Sequence, residues 1–148
     1  MKRTPFSTIF SIDLATLAFF RMCLASICLV DFIRKIPYAA MFFSDEGVLP
    51  RAMIIDQPHW YHWSLNYLNG SVTFQIILLL LGACFSLCFF FGARTRLANI
   101  FLWVLQLSML YRNPLITQGG DKLLILLLFW SIFLPLNARY SVDHALDP

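Results

Sequence analysis

Apolar residues fall along this chain in long runs broken by short polar punctuation, and the length of the runs sets the fold. The run from Val72 to Ala93 carries no ionisable side chain except thiols. A helix of about 20 apolar residues spans a bilayer. The pattern therefore predicts a span over 72–92, with Ser71 of the Asn69-Gly70-Ser71 turn as its N-cap and Gly92 at its end. An earlier run predicts a helix over 13–36, opened by Asp13 as N-cap and left at Pro37. The tight loop Ala93-Arg94-Thr95-Arg96 returns the chain into a short span over 97–111, which Arg112-Asn113-Pro114 stops. Gln118-Gly119-Gly120-Asp121 makes the next turn, with Asp121 as N-cap of a span over 122–136.

The stretch from Tyr38 to Gly70 contains no apolar run long enough to span. Within it Trp60, Tyr61, Trp63 and Tyr67, with Leu65 and Leu68, alternate with polar groups at spacings that a short helix sorts onto two faces. Aromatic rings of this kind settle at headgroup depth, so an interfacial helix over 58–68 is expected. The fold class that follows is all-α. A single membrane domain over 1–148 forms an integral bundle of four transmembrane helices, plus a short interfacial helix in the first extracytoplasmic loop. Four spans put both termini on one side.

Composition strengthens this picture. Of 148 residues, 59% are hydrophobic and 13% charged, against roughly half and a quarter in soluble domains. Lys2 and Arg3 precede the first apolar stretch as in a signal peptide, but Arg21 inside it and the lack of a small-residue cleavage signature favour a retained helix. The net charge of +3 suits the lipid bilayer with its anionic headgroups and gives no reason to invoke nucleic acid. Cys23, Cys28, Cys84 and Cys88 all lie in apolar runs without a Cys-x-x-Cys pair, and read as small hydrophobes rather than a disulfide framework or a zinc site. Lys and Arg divide evenly between the two sides. The very short two-arginine loop at Arg94 and Arg96 favours cytoplasmic termini, in a bacterial inner membrane.

Charged residues in the spans carry the candidate chemistry. Arg21 is placed near mid-membrane, where an arginine costs at least about 2.5 to 3.5 kcal/mol, so something must compensate it. Asp31 lies ten residues on, about 15 Å along a helix, too far for a direct pair. A hydrogen bond to Gln106, placed near the midplane of the third span, or to a helix carbonyl is one reading. The other is a polar cavity in which Arg21 receives an anionic group from a lipid, a quinone-like ring or a partner subunit. Asp56, His59 and His62 recur at intervals of three and offer proton handling or a metal site, yet the flanking tryptophans already explain that segment as an interface anchor. Asp45 and Glu46 before Gly47 read as a solvated turn sooner than as an acid/base pair. No nucleophile elbow, phosphate loop or zinc spacing is present, and neither a metal nor a cofactor is called for.

Several strings together resemble the horizontally transferred transmembrane (HTTM) domain family, whose relatives include the vitamin K-dependent gamma-carboxylases. They are Phe20-Arg21 followed by Asp31, Ser44-Asp45-Glu46-Gly47-Val48-Leu49-Pro50, and Gly92-Ala93-Arg94-Thr95-Arg96. The most specific combination is Arg112-Asn113-Pro114, Gly119-Gly120-Asp121, Leu134-Pro135 and Ser141-Val142-Asp143. The resemblance implies a multi-helix membrane bundle with its loops gathered on the extracytoplasmic side. It also implies that the carboxylases' catalytic lysine base belongs to a region beyond the Ser-x-Asp string, and Lys122, next to a helix N-cap, is no substitute. The expectation is a module that binds a lipid, quinone or partner subunit, or a second copy of itself, without catalysis of its own. Arg21, Gln106, Arg112, Asn113 and Asp121 are the candidate contacts. The alternative is half of a carboxylase-like or quinone-linked enzyme completed by another polypeptide.

Overall fold

A computed structural model describes residues 14–55, 63–136 and 141–143, and the chain within them is helical with no strand. Helix α1 (Leu14–Lys35) passes into a 3-10 turn, Ile36–Tyr38, and then into the short helix α2 (Ala39–Phe42). Pro37 therefore does not end the helical path, which runs over 29 residues from Leu14 to Phe42. Proline sits in the first turn of the 3-10 segment, where its missing N–H costs nothing. The expected cap at Asp13 lies outside the described residues.

Helix α3 (Arg51–Ile55) occupies the connection, followed by a 3-10 turn at Leu65–Tyr67. Residues 58–62 of the expected interfacial helix over 58–68, with His59 and His62, fall outside the described residues, as does Asp56. Its described end is one 3-10 turn instead of regular helix: Ser64 caps it by accepting from the Asn66 N–H, and Asn66 is fully buried. Within that end, Trp63 and Leu68 keep the exposed character of an interface anchor.

Helix α4 (Val72–Phe91) matches its sequence pattern closely. Ser71 Oγ accepts from the Phe74 N–H, and Gly92 ends the helix at φ 72°, in the left-handed region that glycine enters without strain. Helix α5 (Thr95–Arg112) is longer at both ends than the 97–111 expected, because Thr95 and Arg112 are held by distant partners described below. Helix α6 (Gly119–Ser131) starts earlier than 122 and stops well before 136. Asp121 is not its N-cap but its third residue, and its carboxylate reaches back to the Gln118 N–H at 2.9 Å. The early stop follows from Pro135, whose ring would clash with the Ser131 carbonyl four residues back and could not donate to it.

Neighbours in sequence are neighbours in space: α1 packs along α4, α4 along α5 and α5 along α6, with a slighter contact from α6 back to α1. Helices α1 and α4 run antiparallel. Phe32 lies against Gly82, and Arg21, eleven residues earlier on α1, lies against Gly92, ten residues later on α4. Ala18, Ala25 and Cys28 are buried small residues of α1, and Gly82 leaves the space that the Phe32 ring fills. Cys28 is a buried small hydrophobe as expected, whereas Cys23 and Cys84 face outward.

The interior is an apolar core around Leu24, Phe32, Leu79, Leu102 and Leu128, with polar side chains buried among it. Gln75, Ser86, Asn99, Gln106, Ser108 and Ser131 are buried. The outer faces carry Phe19, Ile27 and Val30 on α1, Leu80 and Phe91 on α4, Phe101 on α5 and Trp130 on α6. Two helical segments, Leu14–Phe42 and Val72–Phe91, are long and apolar enough to cross a membrane.

Candidate functional site

Polar side chains gather at the two ends of the bundle. At the end where α1 runs out and α6 begins, Lys35 Nζ lies 2.6 Å from Asp31 Oδ2 and 3.8 Å from Asp121 Oδ1. Gln106 Nε2 donates to the same Asp31 oxygen at 2.8 Å. One acid, one base and one amide from α1 and α5 thus meet a second acid from α6, each charged side chain about a quarter exposed or less. The gap beside them, also lined by Asn113, holds about 20 Å3, room for about one water.

Next to this notch Arg112 is fully buried and organises the loop after α2. Its Nε donates to the Phe43 carbonyl at 2.9 Å, Nη1 to Leu49 at 2.8 Å and Nη2 to Ser44 at 3.0 Å, with Asp45 Oδ1 3.5 Å away. Asn113 Nδ2 donates to the Phe42 carbonyl, and its Oδ1 accepts from Leu115 N–H. Asp45 is tied to Arg51, which donates to it from both its backbone and its Nε, and Arg51 Nη1 reaches the Tyr67 carbonyl. Partial burial pushes the Asp45 carboxyl up, but the two Arg51 bonds and the charges of Arg51 and Arg112 outweigh it and hold the group below its ordinary value. The Asp45–Glu46 turn is thus pinned as well as solvated. Deeper in, Ser108 accepts from the Leu65 N–H and from Asn66 Nδ2, which draws the 64–67 turn onto α5.

The opposite end corrects the depth expected for Arg21. This residue lies level with the Gly92 turn, not at mid-span: a Cβ on Gly92 would stand 2.7 Å from Arg21 Nη1. Nη1 donates at 2.8 Å to the Leu136 carbonyl, which lies in the turn after α6 and not in a helix, while the Gln106 amide goes to Asp31. Arg21 also faces Asp143. That carboxylate accepts from the Arg94 N–H at 2.7 Å, from the Thr95 N–H at 2.8 Å and from Thr95 Oγ1 at 2.9 Å. Helix α5 has no cap of its own, its N-cap being Arg94 at φ 46°. Asp143 supplies one from 48 residues away. Burial raises the Asp143 carboxyl, and the amides of Thr95 and Arg94, the Thr95 hydroxyl and the Arg21 charge together bring it below its ordinary value.

Of the residues singled out from sequence, Gln106, Asn113 and Asp121 share one notch, Arg112 sits beside it, and Arg21 belongs to the far end. Asp31 and Lys35 in the notch, and Asp143 as a distant cap, carry roles that the sequence pattern does not assign. The polar residues within apolar runs, Gln75, Asn99 and Ser108, are the available signal for the buried network. Some of the strings that carry the resemblance also pair in space: Arg112 donates to Ser44 and Leu49, and Gly92 to Thr95 meets Asp143. Comparison with protein-family models, curated proteins and solved structures finds no match for this chain.

Proposed function

We propose that the chain is a four-span membrane module that binds a lipid, a quinone or a partner subunit at its polar notch and performs no catalysis alone. The observation that carries the membrane reading is the apolar exterior of the bundle, with large apolar side chains on the outer faces of α1, α4, α5 and α6 and amides and hydroxyls buried among its apolar core. Such a surface is solvated by hydrocarbon, not water. Arg21 and Lys35 bracket about 21 Å of α1, and Arg96 and Arg112 about 24 Å of α5, at 1.5 Å per residue. Long basic side chains extend toward the headgroups and make up the difference from a hydrocarbon core of about 30 Å. Helix α6 alone is about 20 Å long, and the apolar segment 132–136 completes its path to the level of Arg21.

The notch of Asp31, Lys35, Gln106 and Asp121 is the binding surface in this reading. It has room for a water and not a headgroup, so a ligand lies over it and exchanges hydrogen bonds with Lys35 and Asp121. The pairing in space of some of the HTTM-like strings supports placing the chain beside the N-terminal part of that family, in a bacterial inner membrane with cytoplasmic termini.

Three measurements test this. Membrane fractions washed at alkaline pH should retain the protein, and its release would end the membrane reading. In a variant lacking native thiols, a cysteine at Gln118 should label from outside intact cells and one at Thr95 should not. Labelling at Thr95 alone would reverse the orientation. Purified protein should carry a lipid or quinone detectable by mass spectrometry that Lys35→Leu loses, and unchanged retention would remove the notch from the function.

A further inference from the structure

A second cavity lies at the opposite end, between the start of α5 and the segment after α6. It holds about 360 Å3 and is lined by Thr95, Arg96, Asn99, Ser131 and the segment 132–136. That volume is within the range of small-molecule sites, unlike the single-water gap at the notch.

Its polar groups have a definite sense. Ser131 Oγ donates to the Leu128 carbonyl at 2.8 Å, so toward Asn99 it can only accept, and Asn99 must present Nδ2 to it, at 2.8 Å. This fixes the amide: Asn99 Oδ1 is left as the free end, and it has no hydrogen-bond partner among the described residues although Asn99 is 1% exposed. A buried acceptor without a donor loses its hydration with nothing in return. Arg96 is exposed at the rim. Asp143, which meets Thr95 there, has both oxygens engaged by Arg94 and Thr95. The cavity therefore calls for a ligand that brings a hydrogen-bond donor to Asn99 Oδ1 and an anion to Arg96. An acceptor-only head such as a quinone ring leaves Asn99 unsatisfied, and a cationic head opposes Arg96. Phe133 lines the same cavity and is 65% exposed, which gives an apolar path for a chain leaving the head.

We infer that this cavity binds the headgroup of an anionic phospholipid bearing free hydroxyls, of the phosphatidylglycerol type, with the phosphate on Arg96 and a hydroxyl donating to Asn99 Oδ1. The inference rests on the membrane reading but concerns a site separate from the notch. It assigns a function to the end of the bundle that carries Arg94 and Arg96. A lipid held there also fills the gap left where α6 stops short.

Native mass spectrometry of the full chain in detergent, titrated with phosphatidylglycerol or phosphatidylcholine of matched acyl chains, tests it. Phosphatidylglycerol should bind at least about tenfold tighter, because both lipids bring a phosphate but choline sets a cation against Arg96 and has no hydroxyl for the buried Asn99 Oδ1, and satisfying such an acceptor contributes about one decade. Arg96→Gln, a surface change that leaves packing intact, should abolish the preference, as should Asn99→Leu if that variant folds. Arg34→Gln, at the other end, should leave it unchanged. Equal binding of the two lipids overturns the inference, and so does an equal loss from Arg34→Gln. Glycerol phosphate binding as tightly as the lipid would make this a soluble-anion site and also overturn it. Release of the protein from alkaline-washed membranes, by contrast, would fault the membrane reading itself.

Discussion

Arg112→Met separates a structural from a ligand-binding role for the most enclosed charge near the notch. The substitution keeps an unbranched side chain of helical propensity and removes three donors, those to Phe43, Ser44 and Leu49. Each hydrogen bond from a charged group contributes about 1.5 to 3 kcal/mol. The gross loss is reduced because the variant no longer buries a guanidinium, and the net cost should be about 3 to 5 kcal/mol, the range for breaking a buried ionic cluster. For a chain of this size that is a fall of roughly 6 to 20 °C in Tm, read by circular dichroism in detergent. Arg112→Lys should recover only part of it, since one ammonium cannot fork to three carbonyls. Limited proteolysis should find new cleavage between Phe43 and Arg51 in both variants. An Arg112→Met protein within about 1 kcal/mol of wild type, with its loop still protected, would refute the clamp. It would make Arg112 a candidate ligand contact again.

Asp143→Ala should cost about 1 to 2 kcal/mol, the range for a lost helix N-cap, with hydrogen exchange accelerating first at Arg94 to Ala98. An unchanged exchange pattern would mean that the distant cap is idle. Asp45 and Asp143 are both held below their ordinary carboxyl values, so the native state binds fewer protons than the unfolded one. Their stabilisation is complete above the unfolded carboxyl range, near pH 4, and is lost as pH falls through the lower native values. Tm should therefore hold between about pH 8 and 5 as far as these two groups decide it and drop in acid, and the acid drop should shrink in a protein carrying both Asp45→Asn and Asp143→Asn. Gly82→Ala places a Cβ 2.5 Å from the Phe32 ring. Overpacking costs about 1 to 3 kcal/mol against about 1 kcal/mol of helix propensity gained, so the variant should be less stable by thermal melting, and Phe32→Leu should rescue it.

Local rules written in consecutive residues are legible in the sequence. The length of the Val72–Phe91 helix, its Ser71 cap and its Gly92 terminus follow from residues adjacent along the chain, as do the stop at Asn113-Pro114 and the all-helical class. Rules that depend on who meets whom are not. Pro37 reads as an exit because proline breaks helices, yet the chain tightens to 3-10 and continues. Helix α6 reads as longer because apolar residues run on past Ser131, while the clash set by Pro135 ends it.

The depth of Arg21 is the clearest case. Counting from the ends of an apolar run places it at mid-span, which assumes that the helix is centred in the membrane. The antiparallel register of α1 against α4, set by Phe32 on Gly82, decides instead that Arg21 lies at the Gly92 turn, beside a carboxylate more than a hundred residues away. Sequence by itself determined that long apolar helices form and where the Val72–Phe91 helix begins and stops, because capping and hydrophobic length act within a few residues. Only the tertiary structure decided which charges meet and which polar atom is left over at Asn99, because helix register and the closing of each hydrogen bond depend on the whole bundle at once.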